Sequence, residues 1–351
     1  MSEQLIKEIT EKIKYDLDAD LNIKIISGRS NPEFTNQICK TLQIEPTKVI
    51  YKEFGNSETY IQLEQSVRKC NVYIVQTGGA YEGRSINDHI MELYQLVDIC
   101  KRSNAKSINV ILPTYPYARS DKRDAPRSSI MASCIAQQLT NQGVSRIVSC
   151  DLHNAATQGF TTTSFDNLYA VKPLIQHLKN TIFKGLTKEE INQKYVLCAP
   201  DAGSIKKIEE YAKKLEMNHV IMHKHRDYTS KISNVLSSQL IGNPELVKGK
   251  TILIVDDIVD TMGTMVSAAN ELKTYGILGF IIIATHGVFS GPAMERINNS
   301  DMIIKVIVTN TLPQKYNLEK CNKLEIVDMS HLFAETIKRI QNGASVSELF
   351  A

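Results

Sequence analysis

Residues 251–264 read TILIVDDIVDTMGT. An apolar, β-branched run enters two adjacent carboxylates, Asp256 and Asp257, reaches a third at Asp260, and closes on the turn Thr261-Met262-Gly263-Thr264. An unbroken apolar strand is the mark of a parallel sheet covered on both faces. Ligands of such sheets lie beyond the carboxyl ends of the strands, which is where this stretch places its acids. The turn adds backbone N–H groups and a helix N-terminus, a pairing suited to a phosphate dianion. Gly263 permits close approach of the backbone. Acids for hydroxyls and a loop for phosphate together ask for a sugar phosphate. The competing reading is an acidic helix-capping loop with no ligand.

Outward from this stretch the same alternation continues. Strands are expected at Ile23–Ser27, Val72–Gln76, Ile108–Leu112, Arg146–Cys150, Val196–Ala199, Val220–His223, Phe280–Thr285 and Ile303–Thr309. Helical faces such as Phe34/Ile38/Leu42 and Ile205/Ile208/Ala212/Leu215 lie between them, so the fold class is α/β with mainly parallel sheets flanked by helices. A repeat sharpens the picture: residues 131–153 and 264–286 each read as a helix, a glycine stop (Gly143, Gly276), an apolar strand and a histidine (His153, His286). The turns after Ile23–Ser27 and Val196–Ala199 also match. Two tandem copies of one domain follow, residues 21–165 and 166–351, after an extra amphipathic helix within residues 1–20; packing of the last helix back on the first domain is left open. Gly249-Lys250-Thr251 mimics a P-loop, but it precedes a strand and its glycine spacing is wrong, so it is rejected.

Composition narrows the class. Basic and acidic side chains number 41 and 38, a net charge of +3, with no dense Lys/Arg block, which offers no case for nucleic acid or a membrane surface. The longest apolar stretch, Ile277–Ala284, falls far short of a bilayer span. Seven cysteines without a C-x-x-C pair fit neither a disulfide framework nor a zinc site, and a cytoplasmic location is expected.

Other stretches are ambiguous alone. Asp151-x-His153 ends a strand with two polar groups on one side, yet a core histidine reads the same way. Tyr117–Asp124 is equally a solvated charged loop, and Phe54–Glu58 equally a turn. Lys224 and Arg226, two residues apart, share one side of an extended chain and would suit polyphosphate; a surface loop is the alternative.

The stretch at 251–264 is similar to the phosphoribosyl-diphosphate loop of type I phosphoribosyltransferases, with Met262-Gly263 where Gly-Gly is usual. NIKIISGRSN, FGNSET, YPYARSDKRD, DLHNAATQGF, PDAGSIKK, HKHR, VDDIVDTMGT, THGVFSGPA, RINN and NGASVSELF, in this order, resemble the ribose-phosphate diphosphokinase family. The resemblance runs from about Asn22 to Phe350. It implies two tandem type I phosphoribosyltransferase-like domains and transfer of the diphosphoryl group of ATP to ribose 5-phosphate. It implies that Phe54, Asn56, Glu58, Arg119, Ser120 and His153 bind ATP. Asp201, Asp256, Asp257, Asp260, Thr261, Met262, Gly263 and Thr264 would bind ribose 5-phosphate, and Lys224 and Arg226 would be catalytic. Mg²⁺ would be the cofactor, on Asp151, His153, Asp166 and Asp201. A homo-oligomer built from dimers, up to a hexamer, is implied too, and no nucleic acid or membrane partner.

The departures are local. Ser120 replaces a usual Gln, and Thr162 replaces an Asp of some members while Asp166 is kept. Gly79–Ser85 is longer than the family pattern, near the regulatory positions Ser66, Arg68, Arg127 and Ser345–Ser347. Weak dependence on free phosphate is therefore expected. Two rivals stay open: a non-catalytic regulatory homologue and a phosphoribosyltransferase acting on a base.

Overall fold

The structure is a computed structural model that describes residues 22–227, 234–241 and 243–350. The N-terminal helix expected within residues 1–20 lies outside the described residues. The chain divides into two compact units, Met1–Leu168 with Ser330–Ala351, and Tyr169–Met329.

Unit 1 holds strands β1 (Ile23–Ser27), β2 (Val49–Glu53), β3 (Thr59–Leu63), β4 (Asn71–Val75), β5 (Ser107–Leu112), β6 (Arg146–Cys150) and β7 (Ser164–Leu168). Its helices are α1 (Pro32–Leu42), α2 (Ile86–Arg102) and α3 (Met131–Gln142). One parallel sheet runs β1-β4-β5-β6-β7, and β2 and β3 form a separate antiparallel hairpin. The inner strands are buried along almost their whole length, as expected for a sheet covered on both faces. Helix α1 starts where its sequence says it should. Asn31 caps it by accepting from the Phe34 N–H, and Pro32 occupies the first turn.

Unit 2 holds β8 (Tyr195–Ala199), β9 (His219–Asp227), β10 (Asn234–Ile241), β11 (Thr251–Val259), β12 (Gly279–Gly287), β13 (Ile303–Thr309) and β14 (Leu324–Val327). Its helices are α4 (Val171–Asn180), α5 (Lys188–Lys194), α6 (Ile205–Leu215), α7 (Gly263–Leu272), α8 (Ala293–Asn299) and α9 (Lys315–Lys320). The sheet runs β10-β9-β8-β11-β12-β13-β14 and is parallel except for the β9–β10 hairpin. The last helix, α10 (Ser330–Gln341), belongs to unit 1 and packs on α1, with Phe333 edge-on to Phe34 at 5.3 Å between ring centroids.

Strand order shows how the copies correspond. A strand, a hairpin and four further parallel strands occur in both units: β1, β2–β3, β4-β5-β6-β7, and β8, β9–β10, β11-β12-β13-β14. This pairs β5 with β12. The repeat read from the sequence paired β6 with β12, one strand out of step, because both strands follow a helical segment that ends on a left-handed glycine, Gly143 or Gly276. The match of β1 with β8 stands. Among the described residues no helix is long and apolar enough to cross a membrane.

Candidate active site

The chain leaves β8 towards β9 on one side and returns to place β11 on the other, so the sheet order reverses between β8 and β11. Crevices at such reversals are where α/β sheets take ligands. The turn after β8 is organised by Asp201, whose Oδ1 accepts from the Gly203 N–H (3.0 Å) and the Ser204 N–H (3.2 Å). The Ser204 hydroxyl lies 3.4 Å from that oxygen and 3.3 Å from Asp256 Oδ1, and so links the two strand ends. Asp256 Oδ1 also accepts from the Asp257 N–H at 2.9 Å. Burial, then the adjoining Asp257 carboxyl, then the Asp201 charge, push Asp256 up to about 8. Three carboxyls thus crowd one strand-end crevice, which favours ligands bearing hydroxyl donors or cations.

Beyond β11 the loop is held on several sides. Asp260 Oδ1 accepts from the Ser290 N–H at 3.2 Å, and the Thr261 carbonyl accepts from Arg296 Nη1 at 2.7 Å. Met262 has left-handed backbone (φ 62°), a conformation that suits glycine, and its side chain is buried in the unit 2 core. Only its main chain is left for a ligand. Gly263 opens α7 with ordinary φ, and a Cβ there would lie 3.0 Å from Arg296 Nη1. Its missing side chain thus makes room for Arg296, a reason not legible in the loop itself. Thr264 falls on α7, and its side chain lies outside the described residues.

The unit 1 candidates are more dispersed. Phe54 sits at the β2–β3 hairpin tip, 54% exposed, with its ring edge-on to Tyr60 at 6.1 Å. Asn56 Oδ1 accepts from the Glu58 N–H at 3.3 Å, so both shape the same exposed tip. An aromatic face so exposed beside polar groups is a surface for a flat ligand. Arg119 is exposed after β5. Ser120 turns the other way: its hydroxyl accepts from the Met131 N–H at 3.2 Å and holds the start of α3. His153 is exposed after β6, and Asp151, buried with φ 39°, donates its N–H to the Leu168 carbonyl at 2.8 Å. Asp166 is not brought to that strand end by its side chain, which is ion-paired with Arg146.

Lys224 and Arg226 fall on β9, opposite Ser238 and Val235 of β10; their side chains lie outside the described residues. Among the described residues no three His, Cys, Asp or Glu side chains converge to hold a metal. That arrangement still fits Mg²⁺, which keeps several waters and takes one or two carboxylates plus substrate phosphates. The hard oxygens of Asp151 and Asp201 suit it; Asp166, engaged by Arg146, does not.

Sequence reasoning missed Ser204 and Arg296. Ser204 stands inside the quoted PDAGSIKK and Arg296 inside RINN, but only the fold brings them to Asp256 and Thr261.

A phosphoribosyltransferase-like α/β protein, with an acidic strand-end crevice and a sugar-phosphate type of loop, is the class that this fold and site define. Residues 23–143 match the family model described as the N-terminal domain of ribose phosphate pyrophosphokinase, and residues 239–351 the phosphoribosyl synthetase-associated domain. The crystal structure of phosphoribosylpyrophosphate synthetase from Mycobacterium smegmatis is 33% identical, covers 92% of this chain and 100% of that chain, and superposes with a TM-score of 0.81. This chain belongs to the phosphoribosylpyrophosphate synthetase family, whose members are ribose-phosphate diphosphokinases, enzymes of the transferase class. Adenine phosphoribosyltransferase from Saccharomyces cerevisiae is 14% identical, covering 43% of this chain and 79% of that one, TM-score 0.28. The Trypanosoma brucei adenine enzyme is 12% identical, covering 43% and 68%, TM-score 0.30.

Proposed function

We propose that the protein converts ATP and D-ribose 5-phosphate to 5-phosphoribosyl 1-diphosphate and AMP, for nucleotide biosynthesis. The observation that carries this reading is the β8/β11 crevice, where Asp201, Asp256 and Ser204 meet beside the 260–264 loop. Asp256 and Asp257 accept from the ribose hydroxyls. The backbone of residues 261–264, at the start of α7, cradles the 5-phosphate. Phe54 offers its exposed ring to adenine, and Asn56, Glu58 and Arg119 complete the nucleotide contacts.

In the chemical step the C1 oxygen attacks the β-phosphorus in line. The bond from that phosphorus to the oxygen bridging it to the α-phosphorus breaks, AMP departs, and the hydroxyl proton passes to solvent. No enzyme nucleophile is needed, so the chain's work is positioning and charge neutralisation. Lys224 and Arg226 on β9 meet the transferring diphosphoryl group. Asp151 and His153 of unit 1 would hold Mg²⁺, which when bound neutralises charge on the phosphoryl oxygens, and Asp201 of unit 2 is a further candidate ligand. A dimer-based homo-oligomer in the cytoplasm completes the proposal; seven free thiols, six of them buried, suit a reducing compartment.

The test is product identity. Incubation with ATP, Mg²⁺ and ribose 5-phosphate yields AMP and a phosphoribosyl diphosphate. ADP as the nucleotide product would sink the diphosphoryl reading.

A further inference from the structure

The segment from β12 through α8, residues 287–299, is given no role of its own in the proposed chemistry, yet it engages the β11 loop repeatedly. The Val288 N–H donates to the Val259 carbonyl at 2.8 Å, the Ser290 N–H reaches Asp260 Oδ1, and Arg296 reaches the Thr261 carbonyl. Helix α8 is itself anchored at its C-terminal end. Lys323 Nζ donates to the carbonyls of Ile297 (3.0 Å), Asn298 (3.4 Å) and Ser300 (2.8 Å), all at the end of the helix. Asn298 Nδ2 adds a bond to the Lys320 carbonyl at 2.8 Å. The guanidinium therefore extends from a fixed post.

We infer that Arg296 is a positioning residue for the sugar-phosphate loop. The inference rests on the proposed role of that loop. In a planar trans peptide the C=O and the following N–H point in opposite directions. By holding the Thr261 carbonyl, Arg296 fixes the Thr261–Met262 peptide plane and aims the Met262 N–H away from α8. That N–H and the groups after it are what the loop offers a phosphate. Met262 pins the same plane from within, its side chain buried in the core while its backbone takes a left-handed φ unfavourable for a non-glycine residue. A loop with an unfavourable torsion needs holding from outside, and Arg296 supplies that hold. Gly263 completes the clamp, since any side chain there would press on the guanidinium. Arg296 also lines a cavity of about 380 Å³ with Lys273, Glu295 and Asp301, and the Thr261 carbonyl it holds is on an exposed residue, so water can reach that carbonyl when the guanidinium is removed.

The experiment compares Arg296→Met, which keeps the aliphatic stem, with Arg296→Lys, which returns a donor of different shape. For Arg296→Met the KM for ribose 5-phosphate rises about tenfold or more, as the loss of a charged hydrogen bond implies, while the KM for ATP stays within about twofold. Arg296→Lys recovers part of the loss, a rescue that a bulk packing role would not give. Gly263→Ala approaches from the other side: it repeats the ribose 5-phosphate defect in the wild-type background and adds little once Arg296 is Met. If Arg296→Met melts far below wild type, Arg296→Lys decides the matter: folded, with a ribose 5-phosphate KM raised and the ATP KM unchanged, it supports the inference, and with both values at wild type it overturns it. An unchanged ribose 5-phosphate KM in Arg296→Met, or equal weakening of both substrates, overturns the inference. A wild-type protein that forms no AMP defeats the functional reading instead, so the two failures are distinguishable.

Discussion

The strand ends of β1 and β4 in unit 1 and the crevice between β8 and β11 in unit 2 occupy the same place in one topology, and they are filled differently. Gln76 follows β4, and it is buried. Its Nε2 donates to the His89 carbonyl (2.9 Å) and to Glu92 Oε2 (3.3 Å), and its Oε1 accepts from the Ser30 N–H (3.1 Å) and hydroxyl (2.6 Å). A Cβ on Gly28 would fall 2.1 Å from Gln76 Oε1, so the turn after β1 is closed on that side chain. Glu92, fully buried, takes Arg29 at 2.8 and 2.5 Å, and the Arg29 guanidinium stands 4.7 Å over the Tyr51 ring. Burial alone would raise the Glu92 carboxyl, but its bonds from His89 and Arg29 hold it below the usual glutamate range. Unit 2 places Asp201 in the turn after β8, and Asp256 and Asp257 on the carboxyl-terminal half of β11. The strand ends correspond, but only unit 2 has the reversal of strand order that makes a crevice, and the residues at the ends decide that one is plugged and the other a site.

The hairpins extend the contrast, and the largest expected effect lies there. The β9–β10 hairpin carries Lys224, and its counterpart β2–β3 carries no cation at a proposed site position. If Lys224 meets the diphosphoryl group in the transition state, Lys224→Ala lowers kcat by roughly 10²–10³, about 2.7–4 kcal/mol. Its melting temperature stays near wild type. A variant within about threefold of wild-type kcat removes Lys224 from the catalytic set.

The plug is tested by Gln76→Glu. The substitution keeps the shape but places an oxygen against the His89 carbonyl and the Glu92 carboxylate. The cost is about 2–3 kcal/mol of unit 1 stability, a fall of roughly 5–10 °C in melting temperature. The KM for ribose 5-phosphate is unaffected if the sugar binds in unit 2. An unchanged melting curve would show that the unit 1 strand ends tolerate charge and hold no plug.

The sequence carried the central strands because they are buried on both faces. Arg146–Cys150 and Ile303–Thr309 were legible to the residue as β6 and β13. The elements it hid are partly exposed: VIYKE and TYIQL of β2 and β3 alternate poorly, and SFDNL of β7 mixes polar and apolar residues. The loop at 251–264 was legible because its acids and turn are contiguous. Arg296 was not, since 35 residues separate it from Thr261. Ser204 likewise lies 52 residues from Asp256. Ser120 illustrates a different limit: a motif position gives no sign that the hydroxyl caps α3.

The claim at the centre of the account is that ribose 5-phosphate binds the unit 2 crevice through Asp256 and Asp257. It is tested most directly by calorimetric titration of ribose 5-phosphate into wild type and into Asp256→Asn/Asp257→Asn, with Mg²⁺ present, and of a non-hydrolysable ATP analogue into the same two proteins. The account predicts that the double variant binds ribose 5-phosphate at least about tenfold more weakly, the loss of one charged hydrogen bond or more, and the nucleotide about as well as wild type. Undiminished sugar-phosphate binding by the double variant would contradict it.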